Sequence, residues 1–216
     1  MNNDSSSDLF NQRHKSPQLC MVFDVTSVGE LPDPLLPSGY EIRDYNPGDE
    51  SGWADLINQG SFNTTFTASK VLQYMESKQR RDGSRIVVND GEIVAATFAT
   101  MSKDTEYCKD SLNLGTLDFV VTHPNHRGLG LGRVVCMSVL KYFADIECTP
   151  IVLHTDDFRL PAVSLYLSMR FEPNLLCGTT AHIQMPENQD DLKFLDRKAK
   201  LIKRWDTVRK KLKNLT

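Results

Sequence analysis

The segment Val120–Arg133 constrains the fold of this chain more than any other part of its sequence. It reads VVTHPNHRGLGLGR, so an apolar and partly β-branched run ends in a turn with glycine at positions 128, 130 and 132. A helical pattern follows, with Val135, Val139 and Phe143 spaced to share one face. The segment therefore predicts a strand that leads through a glycine-rich turn directly into a helix.

This turn has the composition of an anion-binding loop. Glycine lets the backbone approach a ligand closely, and consecutive amide N–H groups can point into one concavity. The first turn of the helix adds unbonded N–H donors and the positive end of the helix dipole. A glycine-rich turn that binds no ligand is the alternative, but such a turn loses backbone entropy without an evident packing reason. We interpret Gly128–Arg133 as the seat of a pyrophosphate.

Two common phosphate-binding motifs fit this segment poorly. The P-loop pattern G-x-x-x-x-G-K-S/T occurs nowhere in the chain. The dinucleotide-binding pattern G-x-G-x-x-G would require glycine where Arg133 stands, and a predicted β-hairpin precedes the segment instead of repeated βαβ units. Asp156 and Asp157 follow the next predicted strand, where such a fold can place a ribose-binding acid. An NAD-dependent oxidoreductase therefore stays an alternative.

Around this segment the sequence predicts a mixed α/β domain. Asn89-Asp90-Gly91 between two β-rich runs predicts a hairpin, and Asp49 and Thr67 stand where side-chain caps begin helices. The predicted strands are Val22–Val28, Tyr40–Tyr45, Arg85–Val88, Glu92–Met101, Leu114–Thr122, Ile151–Thr155, Phe171–Leu176 and Thr179–Met185. The predicted helices are Asp49–Gln59, Ala68–Lys78, Leu131–Asp145 and Leu160–Met169.

Charge and proline usage divide the chain into three parts. Residues 1–38 are polar and then proline-rich, which predicts an arm or linker, and residues 39–186 form one folded domain. Gln189–Thr216 has ten basic and four acidic residues and therefore a net charge of +6. Because the whole chain has a net charge of −3, the remaining residues together have a net charge of −9. We expect residues 187–216 to form a basic amphipathic helix that packs on its own domain or on a second subunit, so a homodimer is an open alternative.

The composition excludes several classes of protein. An acidic body argues against nucleic-acid binding, and no apolar run approaches the ~18 residues of a membrane helix. The N-terminus lacks the pattern of a secretory signal. Five scattered cysteines without a C-x-x-C pair favour free thiols and a cytoplasmic location. His123 and His126 flank Pro124 without a carboxylate or thiol cluster, so we expect no metal site.

Two motifs now identify a family. Arg127-Gly128-Leu129-Gly130-Leu131-Gly132 matches R/Q-x-x-G-x-G/A, the signature of the GNAT acetyltransferases, and Leu165-Tyr166-Leu167-Ser168-Met169-Arg170-Phe171 resembles their second signature, L-Y-x-x-x-G-F. The resemblance covers Tyr40 to Met185 and the order of the predicted elements. It implies an α/β (α+β) fold with a mixed, mostly antiparallel sheet flanked by helices, followed here by a C-terminal amphipathic helix.

The resemblance also implies a cosubstrate and its contacts. Members of the family use acetyl-CoA, which they bind through backbone groups at the end of the strand before the glycines. Here those residues are Val120, Val121 and Thr122, and a backbone N–H of Val121 or Thr122 would polarise the thioester carbonyl. The pyrophosphate contacts map onto Gly128–Arg133, after Arg127 at the start of the signature.

Three side chains are candidates for proton transfer. Tyr166 matches the tyrosine that many members use to protonate the departing thiolate. His154 lies at the position where some members have a glutamate that serves as general base, and imidazole is chemically suited to that role. Asp118, in the strand before the glycines, is the rival base. The alternatives without a catalytic role are a core tyrosine and a histidine bonded within the sheet.

Two positions depart from the family pattern. Arg170 replaces the glycine of the second signature, and Arg159 replaces an asparagine that lies seven residues before the tyrosine in many members. Arg159 is an additional candidate for contact with the phosphates. The resemblance thus implies an N-acetyltransferase that moves acetyl directly from acetyl-CoA to an amine of a small molecule or peptide. A non-catalytic acyl-CoA sensor of the same fold is the alternative that these departures leave open.

Overall fold

A computed structural model of the protein describes residues 18–60, 62, 64–101, 113–175 and 192–214. The chain divides into two compact units. The larger unit is Phe23–Leu153, and the smaller unit combines Met1–Val22 with His154–Thr216. Each unit is described separately below.

Seven strands and six α-helices are present in the described ranges. The strands are β1 (Leu19–Phe23), β2 (Tyr40–Asp44), β3 (Arg85–Asn89), β4 (Glu92–Met101), β5 (Gly115–Thr122), β6 (Ile151–Thr155) and β7 (Glu172–Pro173). The helices are α1 (Glu50–Asn58), α2 (Ala68–Tyr74), α3 (Lys78–Gly83), α4 (Leu131–Asp145), α5 (Leu160–Ser168) and α6 (Leu192–Lys213). Short 3₁₀ helices lie at Val25–Glu30 and Pro124–His126.

The larger unit is built on antiparallel pairing. Neighbours in the order β2-β3-β4-β5 pair antiparallel, and β5 then pairs parallel with the start of β6. The predicted turn between β3 and β4 is confirmed, because Asp90 and Gly91 both have positive φ angles, 49° and 82°. Two positive φ angles in a two-residue turn match the right-handed twist of the flanking strands.

Helices cover both faces of this part of the sheet. On one face, Trp53 of α1 and Val71 of α2 are buried with Phe98 of β4. On the other face, Val134 and Val135 of α4 are buried with further strand residues, including Val87, Val94 and Ala95. The predicted fold class, a mixed and mostly antiparallel sheet flanked by helices, is confirmed.

The smaller unit joins both ends of the described chain. β1 pairs antiparallel with β7 through Met21 with Pro173 and Val22 with Glu172. The C-terminal helix α6 contacts α5, buries Trp205 and Val208, and its Arg204 forms an ion pair with Asp157 at 3.1 Å. The predicted C-terminal amphipathic helix is confirmed. In the described ranges, no helix has the length and apolar character that crossing a membrane requires.

The predicted helix Ala68–Lys78 is wrong, because two helices occupy this region. Thr67 caps α2 as expected, but α2 ends at Tyr74. Ser77 then adopts an extended conformation and caps α3 by accepting a bond from the Arg80 N–H. Arg81 donates to the backbone carbonyls of Met75 and Glu76, at 2.8 and 3.1 Å, and so satisfies groups that the end of a helix leaves unbonded.

Asp49 precedes α1 but does not cap it. Its carboxylate accepts two bonds from Arg43, at 2.7 and 2.8 Å, and one from the Asn46 N–H. Burial raises the pKa of Asp49, but these bonds outweigh burial and the pKa lies below its ordinary value. The carboxylate therefore fixes the turn between β2 and α1 instead of the first turn of the helix.

Two predicted strands differ from the observed ones. The strand predicted at Val22–Val28 is observed at Leu19–Phe23. It ends at Phe23 because Asp24 caps a 3₁₀ helix by accepting from the Thr26 N–H. The strand predicted at Phe171–Leu176 is reduced to Glu172–Pro173 in the described residues. The strand predicted at Thr179–Met185 lies outside the described residues. The domain boundaries at 38 and 186 stay predictions.

Gly83 provides a test of how α3 is packed. A methyl group at Gly83 would lie 2.2 Å from Cε1 of Tyr142 in α4 and 2.7 Å from Cβ of Ala99 in β4. We expect Gly83→Ala to lower the free energy of unfolding in urea by about 1–3 kcal/mol, the usual cost of overpacking. Gly29→Ala is the control, because no described atom lies within 4 Å of its added methyl group. Equal stability of both variants would contradict the close approach of α3, β4 and α4.

Candidate functional site

A bulge interrupts β5 just before the glycine-rich turn. Ala96 of β4 pairs with Val121 and Phe98 pairs with Asp118, so β5 has one more residue than β4 in this interval. Phe119 lies in the bulge with a φ of +50°, a left-handed conformation that is rare for a bulky side chain. Such outliers occur preferentially at binding and catalytic sites, and bulges often redirect a strand next to an active site.

The pairing of β5 with β6 stops before this stretch. The parallel pairing joins Gly115–Leu117 to Ile151–Leu153 and ends there, although β5 continues to Thr122. Among the described residues, the part of β5 beyond Leu117 pairs with β4 alone. Because one edge of this stretch lacks a β-ladder, its backbone groups are available to a ligand.

The turn after β5 is held by short-range bonds. His123 accepts a bond from the Asn125 N–H at 3.2 Å and begins the 3₁₀ helix Pro124–His126. Arg127 donates from Nε to the carbonyl of Thr122 at 3.3 Å. Gly128 and Gly130 then take φ angles of +80° and +77°, and α4 starts immediately after Gly130. The predicted sequence of strand, glycine turn and helix is confirmed.

The start of α4 presents a run of unbonded amides. The first bond of the helix runs from the Val134 N–H to the Gly130 carbonyl at 3.1 Å. In the described part of the chain, the N–H groups of residues 128–132 have no acceptor. They lie at the N-terminal end of a helix of 15 residues, so the positive end of its dipole adds to their attraction for an anion.

The surroundings of the turn leave room for a ligand. A Cβ atom added at Gly128 or Gly130 would meet no described atom within 4 Å. Packing therefore does not require glycine at either position. Glycine is favoured there because the backbone is left-handed and turns its N–H groups outward. Open space beside unbonded donors is what a pyrophosphate needs.

Tyr40 and His126 connect this turn to β2, a contact that the sequence did not predict. The Tyr40 hydroxyl and His126 Nδ1 are 2.8 Å apart, and the two rings meet edge to face at 5.7 Å. The His123 and His126 rings also meet edge to face, at 5.4 Å. Among the described residues, no group of histidine, cysteine and acidic side chains could hold a metal ion.

Tyr166 is buried in α5 of the smaller unit. Its ring meets Phe171 edge to face at 5.9 Å, and its carbonyl accepts bonds from the N–H groups of Met169 and Phe171, both at 3.0 Å. Arg170, which replaces the glycine of the second signature, has a φ of +63°. The turn thus keeps the left-handed conformation that glycine adopts readily, at a cost of roughly 1–2 kcal/mol for another residue.

His154 and Arg159 are the other candidates in the smaller unit. His154 is half-buried in β6, and its Nε2 atom is buried without a hydrogen-bond partner among the described residues. Arg159 donates from Nε to the buried carboxylate of Asp156 at 2.8 Å. Asp157 is paired with Arg204, so both candidates for a ribose-binding acid form ion pairs.

The candidates fall into two groups. The larger unit contains Asp118, Val120–Thr122 and Arg127–Arg133, which are contiguous along β5, the turn and the start of α4. The smaller unit contains His154 and Tyr166, together with Arg159 at the start of α5. Their roles in catalysis and in cofactor binding stay predictions.

Comparison with known proteins establishes the family. The profile of the acetyltransferase (GNAT) family matches residues 53–171, which is more than half of the chain. The chain therefore belongs to the GNAT acetyltransferase family. A GCN5-related N-acetyltransferase from Sphaerobacter thermophilus has a similar fold, with a TM-score of 0.57 at 18% identity over 79% of this chain and 53% of that one.

Mycothiol acetyltransferases are similar in sequence. The protein from Thermomonospora curvata is 25% identical over 147 residues, which cover 65% of this chain and 47% of the relative. The one from Acidothermus cellulolyticus is 29% identical over 157 residues, again 65% of this chain and 47% of the relative. The chain thus spans about half the length of these relatives.

A substitution at Gly130 tests the anion seat. We expect Gly130→Glu to weaken binding of coenzyme A by about a hundredfold or more, because a carboxylate would face the pyrophosphate. Gly91→Glu is the matched control, because Gly91 also has a positive φ, 82°, and open space around it but lies in the β3–β4 turn. Isothermal titration with coenzyme A measures both affinities. Equal affinity of the two variants would contradict a pyrophosphate seat at residues 128–132.

Proposed function

We propose that this protein is an acetyl-CoA-dependent N-acetyltransferase that moves the acetyl group directly to an amine of a small molecule or peptide. The observation that supports it best is the run of unbonded amides at residues 128–132, at the start of α4 and beside open space. The bulge in β5 and the end of its pairing with β6 support it as well, because they leave backbone groups accessible next to those amides.

Acetyl-CoA would supply an activated acetyl thioester. The N–H groups of residues 128–132 would hold its pyrophosphate, and Arg133 and Arg127 would add positive charge nearby. Backbone groups of Val120–Thr122 would hold its pantetheine arm. The N–H of Val121 or Thr122 would donate to the carbonyl oxygen, which commonly contributes about 2.7–4 kcal/mol in acyl transfer.

Two protons have to move. An amine is mostly ammonium near neutral pH, so a base must remove one proton before the nitrogen can bond to the acetyl carbon. His154 Nε2 and the Asp118 carboxylate are the two candidates. The Tyr166 hydroxyl would donate a proton to the sulfur as its bond to the acetyl group breaks. The acylated nitrogen loses a second proton, which restores the tyrosine hydroxyl. The products are an amide and a thiol, with one proton released to solvent.

Direct transfer is supported by the cysteines that the structure describes. Cys20, Cys136 and Cys148 are buried, and none of them forms a disulfide with a described residue. Burial raises the pKa of Cys136 to about 12, so this thiol would not carry an acetyl group as a thiolate. Cysteines kept as thiols also support the proposal of a cytoplasmic location.

Removal of one hydroxyl tests the role of Tyr166. We expect Tyr166→Phe to lower kcat by about a hundredfold or more, the usual contribution of a general acid, with little change in the Kd of acetyl-CoA. Tyr142→Phe removes a hydroxyl from α4, outside the proposed site, and should keep the parent rate. Thiol release with a panel of amines measures both. Equal rates would contradict the acid role, and binding of acetyl-CoA without turnover of any amine would favour an acyl-CoA sensor.

A further inference from the structure

The glycine turn lies at the surface of the larger unit. Residues 127–130 are exposed, and two of the four are glycines with left-handed backbone. Glycine loses more conformational freedom on folding than any other residue, so this short segment is costly to hold in one conformation. If its N–H groups are to converge before a ligand binds, neighbouring residues must fix both of its ends.

Tyr40 contacts both ends of this segment. At the first end, the Tyr40 hydroxyl lies 2.8 Å from Nδ1 of His126, the residue that precedes Arg127. At the second end, the Tyr40 ring packs against the buried cluster that contains Leu131 and Val134, in the first turn of α4. One half-buried side chain of β2 therefore joins the residues on either side of the exposed segment.

Tyr40 is itself held by the sheet. It begins β2 and pairs with Asn89 of β3. Its N–H donates to the carbonyl of Pro37 at 3.2 Å, and the Asn89 side chain donates to the carbonyl of Gly39 at 2.8 Å. The position of the hydroxyl that meets His126 is thus set by contacts at the start of β2 and not by the glycine turn.

His126 is the residue through which Tyr40 acts on the turn. Its N–H donates to the carbonyl of His123 at 2.9 Å, and the His123 N–H donates to the carbonyl of Val94 at 2.8 Å. These bonds fix the backbone of His126, and Tyr40 fixes its ring. The hydroxyl can donate to Nδ1 or accept from it, so the bond forms with either neutral tautomer of the imidazole.

We propose that Tyr40 is a positioning residue for coenzyme A. Through His126 its hydroxyl holds the start of the glycine turn, so that the N–H groups of residues 128–132 already face the pyrophosphate before the cosubstrate binds. A preorganised site binds more tightly because less conformational freedom is lost on binding. This inference rests on the proposed use of acetyl-CoA, and it assigns to Tyr40 a part in binding and none in the chemical step.

The first test removes one oxygen atom. Tyr40→Phe keeps the ring in its cluster and loses only the bond to His126. We expect the Kd of coenzyme A, measured by isothermal titration, to rise about three- to tenfold, the usual net contribution of one hydrogen bond. With saturating acetyl-CoA, kcat should equal that of the parent, because the bond supports binding and not the chemical step.

Tyr45→Phe is the matched control. Tyr45 follows β2, and its hydroxyl also bonds a side chain, the carboxylate of Glu50, but its ring packs in the cluster on the other face of the sheet. Loss of this hydroxyl should lower the Tm without a change in the Kd of coenzyme A. An equal rise in Kd for Tyr45→Phe and Tyr40→Phe would show that affinity follows stability, which would contradict the inference.

Variants of His126 test the route from Tyr40 to the turn. His126→Leu should raise the Kd as much as Tyr40→Phe does. The double variant should bind coenzyme A as well as either single variant, because both substitutions remove the same bond. His126→Asn should keep the Kd within about twofold of the parent, because the side-chain amide of Asn lies near the position of Nδ1 and can also donate or accept.

The possible results separate the inference from the proposed function. Equal Kd values for the parent and Tyr40→Phe would overturn the inference alone, as would additive losses in the double variant without recovery in His126→Asn. Failure of the parent to bind coenzyme A or acetyl-CoA would overturn the proposed function with it. The Tm of each variant without ligand checks that folded proteins are compared.

Discussion

Hydrogen bonding along the two edges of β5 is the constraint on which the rest of the site depends. On one edge, β5 pairs with β4 as far as Thr122, and the His123 N–H extends the contact to the carbonyl of Val94 at 2.8 Å. On the other edge, pairing with β6 ends at Leu117. The extra residue in the bulge lets β5 keep its partner on one side while its backbone becomes accessible on the other.

The glycine turn converts this strand end into an anion seat. Two left-handed glycines reverse the chain over a few residues, so that the N–H groups at the start of a 15-residue helix face open space. Elsewhere in this protein, at Arg170, a residue with a long side chain adopts the left-handed conformation. At Gly128 and Gly130, by contrast, a side chain would extend into the space that the pyrophosphate is proposed to fill.

Local signals made much of the fold predictable from the sequence. The helix Leu131–Asp145 and the strand Ile151–Thr155 have the predicted bounds, and the Asp90-Gly91 turn forms as expected. Each depends on periodicity or on turn residues within a few positions. The end of α2 was missed, because it depends on a cap at Ser77 and on bonds that Arg81 makes only once the chain has folded.

The site itself was only partly predictable. The glycine turn can be predicted because its residues are consecutive in the sequence. The bulge at Phe119 arises from the register of two strands and has no local sequence signature. The bond between Tyr40 and His126 joins residues 86 positions apart. The contacts of Phe119 with Phe62 and Phe66, from the segment before α2, and with Tyr74 of α2 likewise join distant parts of the chain. Periodicity indicates at most that these residues are apolar.

The central claim is that residues 128–132 form a pyrophosphate seat specific for coenzyme A. The most direct test is thermal unfolding in the presence of acetyl-CoA, free coenzyme A or NAD. A ligand at about 100 times its Kd stabilises the folded state by about 2.7 kcal/mol, which should raise the Tm of a chain of this size by roughly 5–10 °C. The account predicts such a shift with acetyl-CoA and coenzyme A, and none with NAD. No shift with either form of coenzyme A, or an equal shift with NAD, would contradict it.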